Sequence, residues 1–346
     1  LQGLNGLLGA PSTFDLHQVV LLPVAYMLGI GPALVTALFD HVLARRGVRL
    51  RILWTTLFAY AAAYLILLNA WGAGAVHGPA LFLFGLIGAV PGSGAMLGVV
   101  AMTFSNVDNV YAFRANAGGT AVDIYKASAG GWVNVPLYKI VSFTLGGTAT
   151  PLEGQTLTQG GVTATIKRVM TQTGAWTGTA AGQLVITTPG GGNFAAGAAT
   201  VSTSGATLTL SGIQTAISLL PGGKFVFDKG NFSGQASTRR IYGADGVNKA
   251  FEFDGDVLAP ITTGLTTDNP KFVCIHKNML FLSKDSSIIH SGAGTPFMYS
   301  TTNGGGEIAT GDEVTGLLSL PGAQTTASLG VFLRSNAAIL YGIDPM

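Results

Sequence analysis

The side chains of this chain that could do chemistry by type are few and widely spaced. His276 and His290 are fourteen residues apart. No acid or cysteine completes a metal-ligand pattern around them, so they read as strand-face or loop histidines. Asp245, Asp254, Asp256 and Asp268 could supply the paired carboxylates of glycoside hydrolysis. Each lies at a glycine turn, where aspartate supports turn geometry. Cys274 is the single cysteine. It excludes an intramolecular disulfide framework, and within Phe272-Val273-Cys274-Ile275 it reads as a small buried hydrophobe. Gly190-Gly191-Gly192-Asn193 lacks the following Lys-Ser and helix of a phosphate loop, and Gly304–Gly306 fails the same test. Asn231-Phe232-Ser233 matches a glycosylation sequon, relevant only to a secreted eukaryotic chain. These residues assign no catalytic, cofactor-binding or metal role, and no enzyme is expected.

The elements that would position them have period two. Val110–Arg114, Ala121–Lys126 and Trp132–Val135 are separated by glycine turns and read as an up-and-down meander. Similar text returns at Arg239–Gly255, at Phe272–Leu282 around a Lys277-Asn278 turn, at Ser287–Ser291 and at Leu329–Gly342. From Tyr242 to Phe281 is 39 residues and from Phe281 to Phe332 is 51. Such spacing, with several strands per unit, predicts an incomplete β-propeller-like domain over residues 105–142 and 220–346. Residues 143–219, rich in Thr, Gly and Ala, read as an inserted small β barrel or sandwich. The alternation Val162–Val169 argues against disorder there.

The chain before this has another composition. From Ile52 to Val107 there is no Asp, Glu, Lys or Arg. Charged residues make up 10% of the whole, against about 25% in ordinary soluble domains. Three apolar runs, Val19–Phe39, Ile52–Trp71 and Pro79–Phe104, are long enough as helices to cross a bilayer. Residues 1–104 therefore read as three α-helical membrane spans, with residues 19–104 contacting lipid. Arg45, Arg46, Arg49 and Arg51 place the first loop in the cytoplasm and the N-terminus outside. His77 falls in the short outer loop as a solvated residue. No ionisable side chain lies inside the second or third span, so no transport role is expected. The composition changes at Ala101-Met102, which reads as a junction between two unrelated chains. Leu1 at the start and Met346 after a strand-like run read as truncation at both ends.

Fourteen basic and fourteen acidic residues balance in 102–346, so no nucleic-acid footprint is expected. The run Ser237-Thr238-Arg239-Arg240-Ile241-Tyr242-Gly243-Ala244-Asp245-Gly246-Val247-Asn248-Lys249-Ala250-Phe251-Glu252-Phe253-Asp254-Gly255 resembles β-propeller-like virion proteins of tailed bacteriophages, found in the tail or neck. His276–Ser283 and Gly311–Leu317 sit where such proteins carry similar text. Leu152–Thr158 and Gly192–Gly197 resemble small β domains common in phage tail proteins. The resemblance covers about residues 107–342 and its motifs are structural. It implies a non-enzymatic virion component that packs against copies of itself or other tail or neck proteins. Residues 1–101 are similar instead to small multi-span bacterial membrane proteins, which implies an inner-membrane location if the fusion is natural. Two rivals differ in class: a membrane-anchored β-propeller interaction module with a cytoplasmic binding domain, and a glycan-active enzyme using the turn aspartates.

Overall fold

The computed structural model describes residues 90–104, 107–128, 130–232, 234, 238–322 and 327–341. Across them the chain is all-β. The first sheet is an antiparallel meander of β1 (Met96–Phe104), β2 (Val107–Ala115), β3 (Val122–Ser128) and β4 (Gly131–Val135). Then come β5 (Lys139–Gly146), β6 (Thr156–Gln159), β7 (Val162–Thr173), β8 (Ala180–Ile186), β9 (Gly197–Val201), β10 (Thr207–Leu210) and β11 (Thr215–Ala216). Their order is β10-β9-β6-β7-β8-β5-β11, and β10 also pairs with β5, so six strands close into a barrel.

Three more meanders follow in chain order. The second sheet is β12 (Val226–Gly230), β13 (Arg240–Ala244), β14 (Phe251–Phe253) and β15 (Leu258–Pro260). The third is β16 (Phe272–His276), β17 (Met279–Lys284), β18 (Ser287–His290) and β19 (Gly306–Ala309). The last has three strands, β20 (Val314–Ser319), β21 (Leu329–Leu333) and β22 (Ala337–Leu340). First strands of successive sheets touch: β1 with β12, β12 with β16, and β16 with β20.

The sheets stack because the sequence gives their strands two apolar faces. In β17, Leu280 and Leu282 face the second sheet, while Met279 and Phe281 face the last. A strand apolar on both sides is stable only when both are covered. One core joins the first and second sheets through Val100, Tyr111, Phe113, Ile124, Ile241, Phe251 and Phe253. A second joins the second and third sheets through Tyr242, Ile261, Val273 and Leu282. A third joins the third and last sheets through Phe281, Ile288, Leu329 and Val331. The barrel keeps its own core, with Phe143, Leu157, Ile166, Leu184 and Leu208 fully or nearly fully buried.

The N-terminal half of the expected fold class is corrected. Spans 19–39 and 52–71, residues 79–89 of the third and His77 lie outside the described residues. The described end of the third span is no helix: Met96–Phe104 is a strand, paired antiparallel with Val107–Ala115. Among the described residues no helix is long and apolar enough to cross a membrane. The physical reason is that a charge-free run fits a strand with one face in a core as well as a helix in lipid. The supposed junction falls inside this strand, with Ala101 opposite Val110 and Met102 opposite Asn109. Val100 and Met102, on either side of Ala101, share one core. The chain instead divides into two units at Ala89/Val90.

Candidate functional site

The densest group of charged side chains lies where the barrel meets the second sheet. β7 starts with Ala164 and Ile166 facing the barrel core. A bulge between Ile166 and Arg168 then shifts the register against β8. Such a bulge re-aims the residues after it. Val169 now packs in the barrel, while Arg168 and Met170 face outward and Met170 joins the core between the first two sheets.

Arg168, only 5% exposed, meets three carboxylates. Its Nη1 donates to Glu153 Oε1 at 2.8 Å and its Nη2 to Asp254 Oδ2. Its Nε stands 3.4 Å from Glu252 Oε1 but makes no hydrogen bond. Glu252 projects from β14 between Phe251 and Phe253, which face the opposite core. It accepts from the Tyr242 hydroxyl at 2.7 Å and lies 3.5 Å from Arg240 Nε. Burial and Glu252 raise the Tyr242 phenol far above its usual range, so it stays a donor. Burial pushes the Glu153 carboxyl up against the pull of Arg168. Beside this group, Lys167 lies 3.4 Å from Asp256 and 4.9 Å above the Tyr138 ring. The Tyr138 hydroxyl donates to Asp256 at 3.1 Å.

This geometry decides what the turn aspartates do. Asp254 Oδ1 accepts from the backbone N–H of Asp256 and Val257 at 2.9 and 2.7 Å, and its other oxygen takes Arg168. Asp256 takes Lys167 and Tyr138. Asp245 is buried and accepts from Val247 N–H, Asn248 N–H and the Asn248 amide. Asp268 accepts from Thr263 N–H at 2.9 Å and Thr263 Oγ1 at 2.7 Å. Their oxygens therefore close turns or anchor cations. Gly255, at φ +99°, lets this turn approach Tyr111 so closely that an added Cβ would collide with the phenol.

The two histidines share one neighbour but no ligand geometry. His276 and His290 lie on the Phe281 ring at centroid distances of 5.9 and 5.4 Å. Nδ1 of His276 shares a 2.9 Å hydrogen bond with Ser319 Oγ, and Nδ1 of His290 lies 3.1 Å from Ser291 O. Among the described residues no cluster of three His, Cys, Asp or Glu could hold a metal. Burial, with Lys277 adjacent, lowers the His276 pKa. The unfolded chain then binds this proton more readily than the folded one. Stability from His276 is present above its unfolded pKa of about 6.5 and is lost as pH falls through the lower folded value. Urea titrations at pH 7 and pH 5 are expected to show that His276→Asn removes part of the acid-induced loss. An unchanged difference between the two pH values would contradict this. Cys274 is buried and its thiol is pushed up to about 12 by burial and by Asp228, which leaves it un-ionised at neutral pH.

Gly191 and Gly192 both have positive φ, and Gly190 bridges to Thr163, so this run is a barrel loop. Gly304 caps the 3-10 turn Thr301–Asn303 and Gly305 presses on the Tyr299 backbone. Asn231 accepts from Thr238 Oγ1 at 2.7 Å. A separate groove of about 740 Å³ runs along β1 and β12 and is lined by Met102, Asp108, Asn109, Lys229 and Arg239. Lys229 Nζ donates to the Ala101 carbonyl at its edge.

The Arg168 cluster is not visible in the sequence as a motif. The one local signal is a cation in the buried register of Ala164, Ile166, Arg168 and Met170. Its carboxylate partners come from 15 and 86 residues away. No protein-family model matches the chain, and no characterised protein matches it significantly.

Proposed function

We propose that the β unit is a structural, non-enzymatic component of a tailed-phage virion, in the tail or neck, which packs against copies of itself or neighbouring virion proteins. The observation that carries this reading is the use made of its ionisable side chains. Arg168, Glu252 and Asp254 pin the barrel onto the second sheet, and Asp245, Asp254 and Asp268 close turns. Both Asp254 oxygens are already engaged within the fold, one by the Arg168 guanidinium and the other by two backbone amides.

The resemblance supports the same reading. The described part of the run Ser237–Gly255, residues 238–255, holds β13, β14 and the turns that Asp245 and Asp254 close. The fourteen basic and fourteen acidic residues of 102–346 balance, so the unit carries no net positive charge to attract nucleic acid.

The test is genetic. Deleting the coding region for residues 90–346 from the encoding phage is expected to stop assembly at a tail or neck step, leaving incomplete particles. Normal, infectious particles without the chain would overturn the proposal.

A further inference from the structure

The outer face of the barrel carries two rows of threonine in cross-strand register. Thr207, Thr200, Thr158 and Thr163 form one row across β10, β9, β6 and β7. Thr156 and Thr165, two residues further along β6 and β7, stand opposite each other in the next. Their strand neighbours Leu157, Ala164, Ala199 and Leu208 point into the barrel core, so all six hydroxyls face outward. Thr163, Thr200 and Thr207 are exposed and the other three half-buried. Among the described residues no protein group hydrogen-bonds any of the six hydroxyls. Ser202 and Thr187, which flank the second row, show the contrast: their oxygens accept the N–H groups of Thr156 and Thr165. The barrel is also almost free of charge. Residues 143–219 hold only Glu153, Lys167 and Arg168. All three belong to the junction with the second sheet.

A sheet face kept soluble by charge carries lysine and glutamate. This one carries hydroxyl and methyl pairs at lattice spacing, about 4.8 Å between strands and about 6.8 Å along them. β-Branched side chains are stiff on a strand, so the array is set before a ligand arrives and loses little rotamer freedom on binding. That chemistry selects a partner. A polyanion such as nucleic acid finds no free cation on the face. An apolar protein surface would strip water from the hydroxyls without replacing their hydrogen bonds. A neutral sugar chain offers hydroxyls that donate and accept, and C–H groups that rest on the methyls, with rings repeating at close to the strand spacing. We propose that this face binds a neutral polysaccharide lying across β10, β9, β6 and β7. The inference deepens the reading of the chain as a virion component and rests on it, because a row of neutral hydrogen bonds is a weak contact that many copies on one particle multiply.

The test is affinity electrophoresis of the full chain in native gels, each holding dextran, mannan, galactomannan or the polyanion hyaluronan. Wild type is expected to be retarded by at least one of the three neutral polymers. Thr158→Val combined with Thr200→Val removes two hydroxyls from the first row, keeps the β-branched shape, and is expected to weaken that retardation about tenfold or more. Thr156→Val combined with Thr165→Val, in the second row, is expected to weaken it in the same way. Circular dichroism and melting equal to wild type separate a lost contact from a lost fold. Thr315→Val, at an exposed position of β20 in the last sheet, is expected to leave retardation unchanged. No retardation by any neutral polymer, or retardation by hyaluronan alone, would overturn the inference. So would folded double variants retarded as wild type, or a loss with Thr315→Val as large as theirs. If the chain is present in particles yet gives one of these results, the glycan face fails and the virion role stands. If the face binds as expected and the chain is absent from particles, the reverse holds.

Discussion

Arg168→Ala is expected to lower the stability of the β unit by about 3–5 kcal/mol in urea unfolding. The magnitude follows from what stays behind. Glu252 is as buried as Arg168 itself, and Asp254 is about four-fifths buried, so both lose a cation in a place water reaches poorly. Glu153 is half exposed and re-solvates, so it adds little. The pair does not itself add that much stability, because bringing the ions together cost desolvation. Arg168→Met combined with Glu252→Gln is therefore expected to recover at least about 1 kcal/mol over Arg168→Met alone, a coupling that a double-mutant cycle resolves. The network also holds two bodies together. Trp176, stacked on Phe143, reports the barrel, and Trp132 reports the first sheet. Their fluorescence transitions are expected to coincide in wild type and separate in Arg168→Ala. A stability change below about 1 kcal/mol would contradict the account.

Phe113→Ala is expected to cost about 3–5 kcal/mol by emptying the centre of the junction between the first two sheets. Phe113 is fully buried. Its ring lies 4.9 Å from Phe225, 5.1 Å from Phe227, 5.7 Å from Phe251 and 6.3 Å from Phe253. β2 supplies the ring, and β12, β14 and the residue before β12 supply its neighbours, so the cavity opens between sheets rather than within one. Gly98 makes the junction tight, since a Cβ there would meet Phe225 and Phe227 at 2.9 Å. The surroundings therefore relax little. Phe113→Leu keeps most of the volume and is expected to cost about 1.5 kcal/mol or less in the same urea measurement. Equal losses for the two substitutions would argue against a cavity as the cause.

Local signals carried part of the fold. The Lys277-Asn278 turn is readable because few residues lie between Ile275 and Leu280, and both turn residues adopt positive φ, at 46° and 59°. Asp245 and Asp254 were legible as turn residues because aspartate before glycine bonds its own backbone. Met96–Phe104 was not legible. Nine residues without charge do not separate a strand that buries one face, through Val100 and Met102, from the end of an apolar helix. The composition break at Ala101-Met102 likewise falls inside one strand of a hairpin, between two residues that share a core, Val100 and Met102. The Arg168 cluster was hidden for a different reason. It needs a bulge in β7 and a sheet 86 residues away, and neither leaves a motif in the sequence.

The central claim is that this chain is built into a particle. Quantitative mass spectrometry of gradient-purified virions tests it most directly. Peptides from residues 90–346 are expected in several copies per particle, co-sedimenting with the other tail and neck proteins through successive gradients. Peptides confined to the lysate, with none in purified particles, would contradict it.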